Sequence, residues 1–212
     1  VSQIEVRNTG TVRLHNIKTV QHHTGSYVAV SRSGELTVMD EYGRERERYK
    51  IPYGAVLSVG DGDAVEAGQA VANWDPHTHP IVTEVNGYVR FHDFVEGVTV
   101  QRELDEVTGL ASHVVTDPKS RGNGEHKRSV TDASGKVTEE RVAYKDLRPM
   151  IKLVDEEGND LNIAGTQIPA HYYLPAGAIV SLDDNSEVRV GDALARIPQE
   201  ASKTRDITGG LP

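Results

Sequence analysis

Residues Asn73 to Pro80 read NWDPHTHP, which sets two histidines two positions apart between two prolines. On a β-strand, His77 and His79 point to the same side and can share one metal ion. A catalytic zinc takes three protein ligands and keeps a fourth position open. No further ligand stands in a suitable register. Four residues after His15 comes Thr19, after His22 comes Ser26 and after His23 comes Tyr27, so no carboxylate follows at that spacing. Pro76 and Pro80 also restrict the backbone on both sides of the pair. The stretch is expected to be a rigid surface turn, with Trp74, Asp75, His77 and His79 as candidates for contact with a partner. For Trp74 the alternative is ordinary packing beneath its own domain.

A second candidate is the charge run RERERYK, Arg44 to Lys50. At strand period, Arg44, Arg46, Arg48 and Lys50 share one face and Glu45 and Glu47 the other. That is either a basic stripe for an acidic or phosphate-bearing partner, or an edge strand guarded by charge against aggregation. On a strand, His22 and His23 would point to opposite faces, which is poor metal geometry, and a loop is the expected form there. DGD at Asp61–Asp63 reads as turn chemistry. Neither a P-loop, a dinucleotide fingerprint nor a Ser–His–Asp set is recognisable. Cysteine is absent, which excludes disulfides, thiolate metal sites and a thiol nucleophile. The expectation is no catalytic residue, no metal and no cofactor.

The elements that must position these residues are strands. GSYVAVS, ELTVMD, GAVLSV, PIVTEV and GYVRF are short, valine-rich and bounded by Gly, Pro, Asn or Asp. No segment shows sustained helical periodicity, so the fold class is all-β. An internal repeat organises it. PYGAVLSVGDGDAVEAGQAVA (Pro52 to Ala72) aligns without a gap on PAGAIVSLDDNSEVRVGDALA (Pro175 to Ala195). LTVMDEYG from Leu36 echoes IKLVDEEG from Ile151, and EVRNTGTVRLHN from Glu5 echoes TEVNGYVRFHD from Thr83. Two copies of one β module are implied. The first copy continues through Thr83–Asp93 while the second ends near Pro198, so the N-terminal strand is expected to complete the second module. The resulting division is 19–116 for the first module, 117–144 for a polar loop or hairpin around DASGK, 145–200 plus 1–18 for the second, and 201–212 for an exit segment. The turn-rich repeat resembles the barrel-sandwich hybrid folds of biotinyl and lipoyl carriers. Their modified lysine has no counterpart, because Ala72 to Val85 contains none.

The 212 residues are 37% hydrophobic and 26% charged, with a formal charge of −9. No apolar run approaches the ~20 residues of a membrane helix, and no signal peptide is visible. Together with the missing cysteine this fits a cytoplasmic protein. The acidic balance argues against a domain living on phosphate contacts. The chain starts without methionine and ends on DITGGLP, as expected of a fragment of something longer.

Motifs in order carry a more specific resemblance. IPYGAVLSVGDGD, VANWDPHTHPIVTEVNGYVRFHD, DEVTGL, KDLRPMIKLVDEEGND and ARIPQEASKTRDITGGLP together resemble the lineage-specific insertion in the trigger loop of the bacterial RNA polymerase β′ subunit, over nearly the whole chain. The stretch Pro118–Lys145 departs from that pattern by its length. The resemblance implies two tandem sandwich-barrel hybrid motifs and a trigger-loop junction at Asp206, Ile207, Thr208, Gly209 and Gly210. It implies a fragment that is itself non-catalytic, within a DNA-directed RNA polymerase, a nucleotidyltransferase, whose magnesium and zinc lie elsewhere. Implied partners are the rest of the polymerase (β′ jaw and rim helices, β and α subunits) and elongation or cleavage factors, with downstream DNA nearby. The fragment alone is expected to be monomeric, with no membrane contact. The implied role is mechanical: the insertion moves with the trigger loop and tunes elongation, pausing and transcript cleavage. A free-standing two-barrel binding module is the alternative.

Overall fold

A computed structural model describes residues 2–104, 106–117 and 122–199. Junction residues Asp206, Ile207, Thr208, Gly209 and Gly210 lie outside the described residues. The first half of the chain forms β1 (Ser2–Glu5), β2 (Gly10–His15), β3 (Thr19–Gln21), β4 (Tyr27–Ala29), β5 (Gly34–Met39), β6 (Glu45–Ile51), β7 (Val56–Leu57), β8 (Ala64–Val65) and β9 (Ala70–Trp74). The second forms β10 (Thr78–Val82), β11 (Gly87–His92), β12 (Val100–Leu104), β13 (Ala111–Val115), β14 (Glu125–Thr131), β15 (Val137–Ala143), β16 (Met150–Val154), β17 (His171–Tyr173), β18 (Ile179–Val180), β19 (Glu187–Val188) and β20 (Ala193–Pro198). The all-β reading holds, with antiparallel sheets of which none closes into a barrel among the described residues.

The two halves share one topology. The first has a five-stranded sheet, β1-β9-β7-β4-β3, and a four-stranded sheet, β6-β5-β2-β8. The second repeats them as β10-β20-β18-β13-β12 and β17-β16-β11-β19. Even irregularities recur, since the register slips after Ile4 against β9 and after Ile81 against β20. Gly10 explains one shared glycine: a Cβ there would lie 2.2 Å from the Met39 carbonyl oxygen. Its counterpart Gly87 would meet the Val154 carbonyl oxygen at 2.9 Å. In both copies the second strand therefore crosses the end of its neighbour too closely for a side chain.

This topology corrects the expected division. Residues 2–15 pair only with strands of the first half, β1 with β9 and β2 with β5 and β8. Residues 87–92, expected in the first module, pair with β16 and β19. The modules are thus a simple tandem, 2–75 followed by 77–199. The place beside β9 is already filled by β1, so the strand after β9 must begin a new sheet. Asp75 drives the reversal: its carboxylate accepts the His77 backbone N–H at 2.8 Å and the Thr78 hydroxyl at 3.3 Å.

Each module has its own core, and the two sheets of a module close on it. Val12, Leu36, Val38, Leu57, Val65 and Val71 are buried in the first. Val89, Ile151, Leu153, Val180, Val188 and Leu194 take the matching places in the second. Burying each such side chain is worth about 1.5–3 kcal/mol. The expected polar segment takes the hairpin form: β14 and β15 pair over seven residues around the Asp132–Gly135 turn. It is inserted between β13 and β16, where the first module passes directly from β4 to β5.

Candidate interaction site at the seam between the modules

The seam begins where β9 leaves the first module. Tyr53 and Gly54 precede β7 and face β10. The Tyr53 hydroxyl accepts the Val82 backbone N–H at 3.1 Å, and burial pushes this phenol's pKa up. Gly54 adopts φ +87°, and a Cβ on it would fall 2.4 Å from Pro80 Cγ, so the proline ring lies directly on the glycine. Within the second module, the backbone N–H of Gln199 donates to the His77 carbonyl at 2.7 Å, which fixes the start of β10 beside the seam. Lys18 pairs with Glu84 at 2.8 Å across the seam. At the far side, His22 Nε2 lies 3.1 Å from Asp192 Oδ1.

A cleft of about 470 Å³ opens along this seam. Its walls include Tyr53, Trp74, Pro76, Pro80, Asp75, His79 and Arg196. Trp74 is half-buried against the first module's core, the packing given as its alternative, and it also walls the cleft. It also borders a second hollow of about 670 Å³ with Arg32, Glu35 and Lys50. The Asp75 carboxyl is held below the usual carboxylate range, first by the His77 backbone N–H. Trp74, Asp75 and His79 therefore meet in one cleft, and the exposed His77 does not line it. Rings and prolines flanked by single charges suit recognition of another protein surface, which takes aromatic contact area and a polar rim.

The structure does not bring the arginine run to this site. Arg44 bonds Asp40 at 3.2 Å, and Arg48 bonds both Glu45 and Glu35. Arg46 is exposed and makes no ion pair with any described residue. The strict alternation expected for this strand also fails. The register between β5 and β6 slips, with Val38 opposite Glu47 and Met39 opposite Glu45. That bulge turns Glu45 to the side of Arg48. β6 is an edge strand on which Glu45 and Arg48 are ion-paired and Glu47 is hydrogen-bonded within the module.

Two features escaped the sequence reading. Tyr53 sits where the second copy has Ala176, and a departure between the copies was the available signal for the seam. His22 and His23 lie in the turn after β3, where the Gly25 backbone N–H donates to the His22 carbonyl; the loop was expected, the meeting of the two rings with Asp192 was not. The turn sets their ring centroids 4.0 Å apart.

No family model matches the chain. Curated relatives do. It is 63% identical to the DNA-directed RNA polymerase subunit beta′ of Nitrosococcus oceani over 210 residues, 99% of this chain. It is 59% identical to that subunit of Methylococcus capsulatus and 57% to that of Idiomarina loihiensis, over 100% of this chain in each case. The chain is homologous to one segment of RNA polymerase β′. It spans 14% of the length of each of these β′ relatives. Among the described β′-like residues, no helix is long and apolar enough to cross a membrane.

Proposed function

We propose that the chain is a non-catalytic insertion in the trigger loop of bacterial RNA polymerase β′, built as two sandwich-barrel hybrid motifs, that biases trigger-loop folding through protein contacts. The observation that carries this reading is the pairing of full-length similarity to 14% of β′ with a segment organised around two cores of its own. Such a body, tethered to a loop that orders and disorders during each catalytic cycle, moves with it. A contact worth ~1.4 kcal/mol in only one state shifts that equilibrium tenfold. The seam cleft around Trp74, Asp75 and His79 is the surface offered to the polymerase body, with the β′ jaw and rim helices as the proposed partners. The β and α subunits, elongation or cleavage factors and downstream DNA complete the proposed setting. It is that of a cytoplasmic, nucleoid-associated enzyme.

The test is to delete residues 1–202 from the intact β′ chain, leaving a short linker, and to compare nucleotide addition and pause lifetimes with the parent polymerase. Altered kinetics with catalysis retained support the proposal. Unchanged kinetics, or complete loss of catalysis, overturn it.

A further inference from the structure

We infer that His22, His23 and Asp192 form a binding site for one divalent transition-metal ion of the zinc class, and that the bound ion staples the two modules together. One ligating atom from each residue lies within 4.8 Å of the others. Bonds of roughly 2.0–2.1 Å in a tetrahedral zinc site set its ligand atoms about 3.3 Å apart. Here His22 Nε2 is 3.1 Å and His23 Nε2 is 3.8 Å from the same Asp192 oxygen. The second distance is too long for a hydrogen bond, yet it aims a second imidazole at an oxygen already engaged. The shared target is what ligands of one ion show.

Outer contacts hold this arrangement. Asp192 Oδ2 accepts the Arg189 backbone N–H at 2.9 Å, which leaves Oδ1 turned to the histidines. His22 Nδ1 lies 2.8 Å from Thr24 Oγ1 and accepts the Thr24 backbone N–H at 3.3 Å, contacts that hold the ring with Nε2 toward Asp192. Gly191, φ +92°, admits the His22 ring: a Cβ there would lie 2.9 Å from His22 Cδ2. A hollow of about 460 Å³ beside His23 leaves room for water as a fourth ligand. Two imidazoles with one carboxylate suit zinc, nickel or iron(II) and not magnesium or calcium. The histidines belong to the first module and the aspartate to the second, so the ion bridges the seam without any part in catalysis.

The test is calorimetric titration of the metal-stripped 212-residue chain with zinc chloride, and separately with magnesium chloride. The expected result is one zinc per chain, with no magnesium binding. At a hundredfold excess over Kd, zinc should raise the unfolding midpoint by roughly 5–10 °C. Asp192→Asn and His23→Asn should each weaken zinc binding at least tenfold. The His23 variant should unfold like the parent without metal, because this side chain is half-exposed. A His77→Asn/His79→Asn double variant should bind as the parent does. Zinc binding that survives the Asp192 and His23 substitutions, follows the His77/His79 pair or is absent altogether overturns the inference.

Discussion

Glu47 lies on a charged edge strand, yet its carboxylate works inward. It accepts the backbone N–H groups of Arg7 and Asn8 at 2.8 and 3.0 Å, the Asn8 side-chain amide at 3.1 Å and the Tyr49 hydroxyl at 2.5 Å. It thereby ties β6 to the β1–β2 connection. Partial burial pulls its pKa up, but the Tyr49 hydroxyl and the Arg7 and Asn8 donors outweigh it, and the net shift is downward. A depressed folded pKa makes the contribution fully present above the unfolded glutamate value and lost as pH falls through the lower folded value. Glu47→Ala should therefore destabilise the chain by about 1.5–3 kcal/mol at neutral pH. In urea titrations the gap between variant and parent should close as pH is taken below 4. A gap that is absent at pH 7, or that persists unchanged into acid, would show that the carboxylate holds nothing.

At the level of elements, the β14–β15 hairpin is an addition to a complete module rather than part of it. Its two ends are already adjacent, because the Tyr144 N–H donates to the Gly124 carbonyl at 2.9 Å. Its main tie to the module is Arg128, which reaches the nearly buried Asp93 carboxylate as well as Glu140. Asp93 also accepts the Arg148 backbone N–H at 3.1 Å. Excising residues 125–143 and joining Gly124 to Tyr144 through a short linker should keep both cores. It should cost about 1–3 kcal/mol, because the Asp93 charge loses its guanidinium. Asp93→Asn in the shortened chain should recover part of that loss, since asparagine tolerates the φ of +58° found there. Loss of cooperative unfolding after excision would mean the hairpin belongs to the core. The strands themselves were legible because buried apolar residues recur at a fixed, gapless spacing in both copies, as Leu57, Val65, Val71 and Val180, Val188, Leu194 show. The partition was not. Thr83–Asp93 adjoins the first copy in sequence, while only hydrogen bonding decides which sheet takes it. The arginine face was misread because a bulge changes the period locally, and the approach of His22 and His23 to Asp192 was not legible because the two segments lie 170 residues apart in sequence.

For the whole molecule, the tandem repeat supplies its own control for how firmly the modules are joined. Gly54 and Gly177 occupy matching positions and both adopt left-handed conformations, φ +87° and +93°. A Cβ on Gly177 would meet nothing within 4 Å, whereas one on Gly54 would strike Pro80 of the second module. Both alanine variants bear the backbone strain, about 1–2 kcal/mol. Only Gly54→Ala must also push β10 away, loosening the Tyr53–Val82 hydrogen bonds beside it. Gly54→Ala should thus lower stability measurably more than Gly177→Ala in urea denaturation. It should also split a single unfolding transition into two as the modules lose their coupling. Equal losses, with one transition in each variant, would mean that Pro80 yields freely and the seam is a hinge. The consequence for the proposed role is direct. A rigid seam transmits force from a contact on either module to the point of attachment, so loosening it by Gly54→Ala in intact β′ should weaken any effect on pausing more than Gly177→Ala does.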